Sequence, residues 1–462
     1  MNETLVPESN ALAGVYDFPT LIRFALPTMV MMVSLGLYTI GDTVLVARFV
    51  NTEALSAINI VCPVINVIVG LGAMLATGSS AAIARNMGAG DGKRAQQDFT
   101  LIILVGAALG LAIAVAGITC IKPIIRGLGA SDILYPYCRD YLLVLLLFTP
   151  ASMLQMLFQN MMVTAGRPGL GLVLSLVAGA TNVALDWFFM VHLHMGIAGS
   201  ALGTGIGYLI PTVVGLVFFS RDKGSLRFRK PVVDFRFLGG SCFNGSSEMV
   251  GQLATAVTTF LFNMAMMRLA GESGVAAITI IIYSQFLLAS FLIGFSMGVA
   301  PVLSYTFGSA DHGQLSRLFR LCLGVIGICS ITVFALSMVF GSQMVGVFSS
   351  RGTLVHSLAR KGFLIFPFSF LFSGINIFAS AAFTALSNGK ISAIISFSRT
   401  FGFITAALLV LPVFFGMTGV WLAIPLAEFL TFFLSVGCIL RYRNRYHYLL
   451  PGRQTKRLTD RS

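Results

Sequence analysis

Apolar residues in this chain run in long blocks separated by short charged or Gly/Pro-rich breaks. The blocks fall at 20–47, 54–84, 96–121, 136–164, 168–191, 196–220, 237–268, 275–307, 315–341, 357–385, 391–414 and 417–440. Each reaches the roughly 20 residues that a helix needs to cross a bilayer, so the pattern predicts an all-α membrane protein with twelve transmembrane helices. Pro27, Pro63, Pro150, Pro211, Pro301, Pro367, Pro412 and Pro425 lie inside blocks. Neighbouring helices can satisfy the carbonyls that prolines free, and bends are expected.

Composition agrees with the pattern. The 462 residues are 56% apolar and only 10% charged, with a mean hydropathy of +0.89, against about a quarter charged in soluble domains. Little chain is left for a soluble domain, which excludes most soluble enzymes; no enzymatic activity is expected.

The sequence also superposes on itself at an offset of 220. TEALSAINI at 52–60 meets ESGVAAITI at 272–280; Gly78, Gly88 and Asp91 meet Gly298, Gly308 and Asp311; Gly196, Gly199 and Leu202 meet Gly416, Gly419 and Leu422. An even number of helices per repeat gives both halves the same orientation, related by an axis along the membrane normal. The predicted organisation is therefore a cytoplasmic segment 1–19, an N-lobe 20–220 with helices 1–6, a basic linker 221–236, a C-lobe 237–440 with helices 7–12, and a basic tail 441–462. Two parallel six-helix bundles around a central cavity suit a transporter that rocks one bundle against the other.

A net charge of +13 would suggest nucleic acid if the 30 Lys and Arg formed a patch, but they lie between apolar blocks and in the tail. Read as a topology signal, they place both termini in the cytoplasm, with 21 basic residues inside and eight outside. No nucleic-acid partner is expected, and the N-terminus has no basic run that would start a cleaved signal peptide. The seven cysteines form no CxxC pair, so neither a structural metal nor a required disulfide is predicted. No GxxxxGK[ST] loop occurs, and no cofactor is expected; energy would come from an ion gradient.

Four acids lie well inside apolar blocks: Asp42, Asp186, Glu248 and Glu428. A carboxylate in the membrane must be paired, hydrated or protonated, and is a functional candidate by default. Asp42 precedes Arg48 by six residues and Asp186 precedes His192 by six, so both lie about 9 Å below the outer surface at 1.5 Å per residue. Asn182 shares a helix face with Asp186, and Thr204 reaches a similar depth as helix 6 returns. This set offers oxygen ligands for Na⁺, or a coupled carboxyl pair that exchanges H⁺. At the repeat offset Asp42 falls on Phe262 and Asp186 on Ala406: the acidic cluster is not duplicated. Glu248, Asn263 and Asn376 are candidate substrate-cavity groups, whereas Glu428 reads as structural, answering Arg399. His192 and His194 read as a surface turn. The 39 Phe and 20 Met could line an adaptable cavity that attracts organic cations, but most would face lipid or neighbouring helices.

FALPTMV and YTIGDTVLVARF in helix 1, ARNMGAGDGKRA with its repeat SYTFGSADHGQL, and TNVALDWFFM followed by GIAGSALGT resemble the multidrug and toxic compound extrusion (MATE) family. The resemblance spans nearly the whole chain. It implies alternation between outward and inward V-shaped states, a cation site at Asp42, Asn182, Asp186 and Thr204, and a bend of helix 1 near Pro27 on protonation of its Asp. Glu248 looks like the helix 7 acid of other members, although FNGSSEMVGQ lacks their preceding Pro and Asn376 stands where they carry a helix 10 acid.

The resulting expectation is a bacterial inner-membrane antiporter, functional as a monomer, that exports amphipathic or cationic organic compounds in exchange for H⁺ or Na⁺. The alternatives are a flippase for lipid-linked oligosaccharide, which would call for a strongly cationic cavity, and a non-transporting receptor or assembly factor.

Overall fold

A computed structural model describes residues 11–50, 52–221, 224–350 and 352–449. The N-terminal ten residues, Lys223, Arg351 and the tail beyond 449, all used in the topology reading, lie outside the described residues.

The chain is helical almost throughout: α1 Phe18–Phe49, α2 Thr52–Gly88, α3 Gly92–Thr119, α4 Ile121–Gly127, α5 Tyr135–Leu147, α6 Thr149–Thr164, α7 Pro168–Trp187, α8 Gly196–Arg221, α9 Phe235–Gly308, α10 His312–Phe348, α11 Leu354–Ile365, α12 Phe370–Ala385, α13 Gly389–Phe397, α14 Phe403–Phe415 and α15 Met417–Tyr446. Among the described residues ten helical spans are long and apolar enough to cross a membrane, and the bent pair α5 and α6 forms an eleventh. The twelfth comes from α9. A straight helix of its 74 residues would be about 110 Å long, over three bilayer cores; Gly271 breaks it with φ 60° and ψ −149°, backbone that a residue with a Cβ resists. Gly416, between α14 and α15, adopts nearly the same conformation, φ 54° and ψ −131°.

Prolines bend the chain selectively. α5 and α6 meet at 52° just before Pro150, and Pro367 lies in the 3₁₀ turn Phe366–Ser369 between α11 and α12. Helices continue through Pro27, Pro63, Pro211, Pro301, Pro412 and Pro425. The repeat is visible in the caps: Asp91 accepts the amide of Arg94 and Asp311 that of Gln314, each tying down an orphan amide at a helix start.

The lobes meet tightly at the end predicted to be cytoplasmic. A Cβ on Gly88 would overlap the Tyr305 carbonyl, and one on its repeat mate Gly308 would overlap that of Arg85, so α2 and the second half of α9 touch backbone to backbone. Gly78 and Gly245 bring α2 equally close to the first half of α9, while Gly294 and Gly298 seat that helix's second half on α1 at Thr28, Met29 and Ala25. Arg85 also donates to Ser387 Oγ (3.1 Å). Ahead of α1, buried Leu12 packs into this core, and Gln314 of the C-lobe donates to the Gly14 carbonyl (2.8 Å). The linker lies along the N-lobe, where Arg229 N donates to Thr100 Oγ1 and Arg94 pairs with Asp234 at 3.1 Å. Backbone amides of Phe237 and Arg236, together with Arg94, hold the Asp234 carboxyl below the usual range.

The other end is organised differently. A separate apolar cluster, including Val46, Ala57, Val61, Tyr141, Leu142 and Ala201, fills that part of the N-lobe alone. Beside it a cavity of about 530 Å³ opens between Ile40 of α1 and Thr279, Tyr283, Phe348 and Thr353 of the C-lobe.

Candidate functional site

Three helices of the N-lobe converge on one group of polar side chains. Asp42 comes from α1, Asn182 and Asp186 from successive turns of α7, and Ser200 and Thr204 from successive turns of α8. Asn182 Nδ2 donates to Thr204 Oγ1 (3.1 Å), and Ser200 Oγ donates to Asp42 Oδ1 (3.1 Å). Asp42 and Asp186 are close enough to act on one another's ionisation. Asp186 is fully buried; among the described residues both of its carboxylate oxygens, and Oδ1 of Asn182, lack a hydrogen bond of good geometry. Space for the Asp186 carboxyl exists because residue 203 is glycine: a Cβ there would overlap Oδ1.

Among the described residues, no Lys or Arg is one of the charges acting on this acid pair. The groups around it are tyrosines, Tyr38 of α1, Tyr141 of α5 and Tyr208 of α8, all within electrostatic reach of Asp42. Buried acceptor oxygens without donors are costly, and a small cation or a proton is what such a set accepts. Among the described residues no group of three His, Cys, Asp or Glu is placed to hold a metal ion, so the oxygens of Asn182 and Thr204 would have to complete any Na⁺ shell.

Sequence reading omitted Ser200 and the tyrosines. Same-face spacing would have found most of them: Tyr38 is four before Asp42, Ser200 four before Thr204 and Tyr208 four after it. Tyr141, on another helix, carries no local signal.

The C-lobe has its own polar group. Arg399 Nε bonds Glu428 Oε1 (2.8 Å), and Asn376 Nδ2 donates to Glu428 Oε2 (2.8 Å) and to the Glu428 carbonyl (2.9 Å). Glu428 is 3% exposed and Arg399 21%. Arg399 sits in a π-helical turn, Ser398–Gly402; such a turn inserts a residue and re-aims its neighbours. Asn376, predicted as a substrate-cavity group, thus donates to Glu428.

Glu248 is half-buried on α9. Its helix face is shared with Gly245, which touches Met74, and with Gln252, which approaches Gly70, so Glu248 stands at the seam toward α2. Asn263 lies on the same face, about 22 Å along the helix, with Oδ1 buried and unpartnered. The structure therefore brings Asp42, Asn182, Asp186 and Thr204 together and spreads Glu248, Asn263 and Asn376 apart. Pro27 lies within continuous α1, next to the Thr28 and Met29 contacts with Gly294.

Comparison with known proteins matches this architecture. The chain is similar to a multidrug export protein MepA of Staphylococcus haemolyticus (strain JCSC1435), 26% identical over 93% of this chain and 94% of that one. A MATE crystal structure in complex with MaL6 superposes with a TM-score of 0.89 at 21% identity, over 95% of this chain and 98% of that one. An outward-facing multidrug resistance MATE family transporter of the MOP superfamily also gives 0.89, at 21% identity over 96% and 99%; these two likenesses show the fold. The MatE family model matches twice, at residues 27–188 and 249–411, once in each half of the repeat. With both lobes matched in order and across most of its length, the chain belongs to the MatE family of multidrug and toxic compound extrusion transporters.

Proposed function

We propose that the protein is a secondary active multidrug efflux antiporter of the bacterial plasma membrane, exporting amphipathic or cationic organic compounds in exchange for H⁺ or Na⁺ by alternating access. The observation that carries this reading is the Asp42–Asp186 pair, with Asp186 fully buried and Asp42 half-buried, on which no basic residue acts among the described residues. Two facing carboxyls cannot both be charged cheaply at such a site, so the pair takes up a cation or a proton. Bound there, the ion draws α1 toward α7 and α8. The same helix carries Ala25, Thr28 and Met29 against Gly294 and Gly298 of the C-lobe, about 20 Å down α1 from Asp42, so a shift of α1 acts on the contact between lobes. An ion that binds one arrangement of lobes more tightly than the other drives the exchange. The relatives named for multidrug export, MepA among them, support drugs as the exported class.

The test is export of a fluorescent lipophilic cation from proteoliposomes under an imposed pH or Na⁺ gradient, for wild type, Asp42→Asn and Asp186→Asn. Gradient-driven export in wild type that falls at least tenfold in both variants is expected, and the effective gradient names the ion. Undiminished coupled export in the variants would remove the acid pair from the mechanism. No export by wild type under either gradient would favour lipid-linked oligosaccharide or a non-transport role.

A further inference from the structure

Arg399 has a partner on each side. Behind it Glu428 is almost completely buried, held by Asn376 at the side-chain and carbonyl oxygens. Ahead of it Glu248 occupies the lobe seam, and Arg399 is the charge set against Glu248. Helices α13 and α9 touch here: Ser396 Oγ donates to the Ser247 carbonyl (3.0 Å) and lies 3.8 Å from where a Cβ on Gly251 would stand. The π-helical turn starts two residues after Ser396. The guanidinium uses Nε for Glu428; among the described residues its terminal nitrogens make no hydrogen bond, nor does the Glu248 carboxylate.

A guanidinium has five N–H donors in a rigid fork, so one edge can serve Glu428 while the other faces Glu248. Three charges, two negative and one positive, leave the cluster with a net charge of −1. An amphipathic cation arriving at the seam meets a carboxylate whose field is already partly cancelled by a tethered cation, and tethering gives that competitor a high effective concentration.

We propose that Arg399 is a built-in competitor for cationic substrate at Glu248, held back by Glu428, and that it sets the selectivity of the C-lobe for charged against uncharged compounds. The inference rests on the transport reading above for its biological meaning, but its test does not depend on flux. Removing the whole pair, as in Arg399→Met with Glu428→Met, keeps the cluster at −1 and takes away the competitor together with its anchor. Removing the anchor alone, as in Glu428→Gln, frees Arg399 to turn fully onto Glu248. The two changes therefore act in opposite directions, which net charge alone does not predict, because one leaves the cluster at −1 and the other brings it to zero.

The experiment is equilibrium binding of rhodamine 6G, a lipophilic monocation, and of Nile red, an uncharged dye, to the detergent-purified full chain, well below each variant's unfolding temperature. The double Met variant is expected to bind rhodamine 6G at least threefold more tightly and Nile red unchanged; adding Glu248→Gln abolishes the gain. Glu428→Gln is expected to weaken rhodamine 6G binding at least threefold. The proposal is overturned if the double variant leaves rhodamine 6G affinity unchanged, if both dyes shift alike, if the gain survives Glu248→Gln, or if wild type and variants bind no rhodamine 6G. Failure of gradient-driven export with the binding shifts intact would instead count against the transport reading alone.

Discussion

The two lobes share a helical frame and differ in what balances their buried charge. In the N-lobe Asp42 and Asp186 face each other among tyrosines, a serine, a threonine and an asparagine, with no base acting on them among the described residues. In the C-lobe Glu428 has Arg399 at 2.8 Å and Asn376 on its other oxygen. At the repeat offset Glu428 falls on Tyr208 and Arg399 on Gly179, so the C-lobe places its charges where the N-lobe has a phenol and no side chain. Glu428 has a tethered counter-ion, whereas among the described residues the acid pair of the N-lobe has none. A duplicated scaffold thus carries two facing acids in one half and a buried acid–base pair in the other.

That contrast can be broken most strongly from the C-lobe. Glu428→Gln takes from Arg399 its hydrogen-bonded counter-ion and leaves it only Glu248 across the seam, a loss of about 3 kcal/mol, to be read as a lower unfolding temperature of the purified protein. Replacing both partners by Met should restore most of it. If the single variant unfolds with wild type, the pair does not stabilise this lobe.

A smaller effect is expected when the N-lobe acid is displaced rather than removed. Gly203→Ala sets a methyl group against Asp186 Oδ1, and a carboxylate moved by a fraction of an ångström should lose about tenfold in ion affinity, or about 1.4 kcal/mol. The half-saturating Na⁺ concentration, or the midpoint pH of exchange, reports it; an unchanged midpoint would mean that Asp186 has slack. Smallest is Ser200→Ala, which removes the hydroxyl donor to Asp42. A loss of about 1 kcal/mol, about fivefold in the same midpoint, is expected, with the unfolding temperature nearly constant.

Much of the fold was legible in the sequence because the bilayer imposes one rule, a long apolar block per crossing. The break between 268 and 275 was read from polar residues, and the structure resolves it as a turn at Gly271 in otherwise helical chain. Depth counting drew Asp42, Asn182, Asp186 and Thr204 to one level, since rise per residue is fixed. It said less about azimuth: Asn376 was grouped with Glu248 although its amide points to Glu428. Tyr141 went unnoticed because its relation to Asp42 is purely tertiary. The bends at Pro150 and Pro367 were no easier to single out from six straighter prolines, since neighbouring helices decide which freed carbonyls can be satisfied in place.

The reciprocal glycines Gly88 and Gly308 have one more consequence. A contact made by backbone alone has no rotamers to adjust and no long side chain to keep a hold as the surfaces separate. Partial opening would forfeit the close packing at once, so intermediate widths gain nothing. A pair of fluorophores spanning this seam should therefore dwell at two distances with abrupt transitions between them, and a gradual drift of signal would mean that another part of the interface sets the pace.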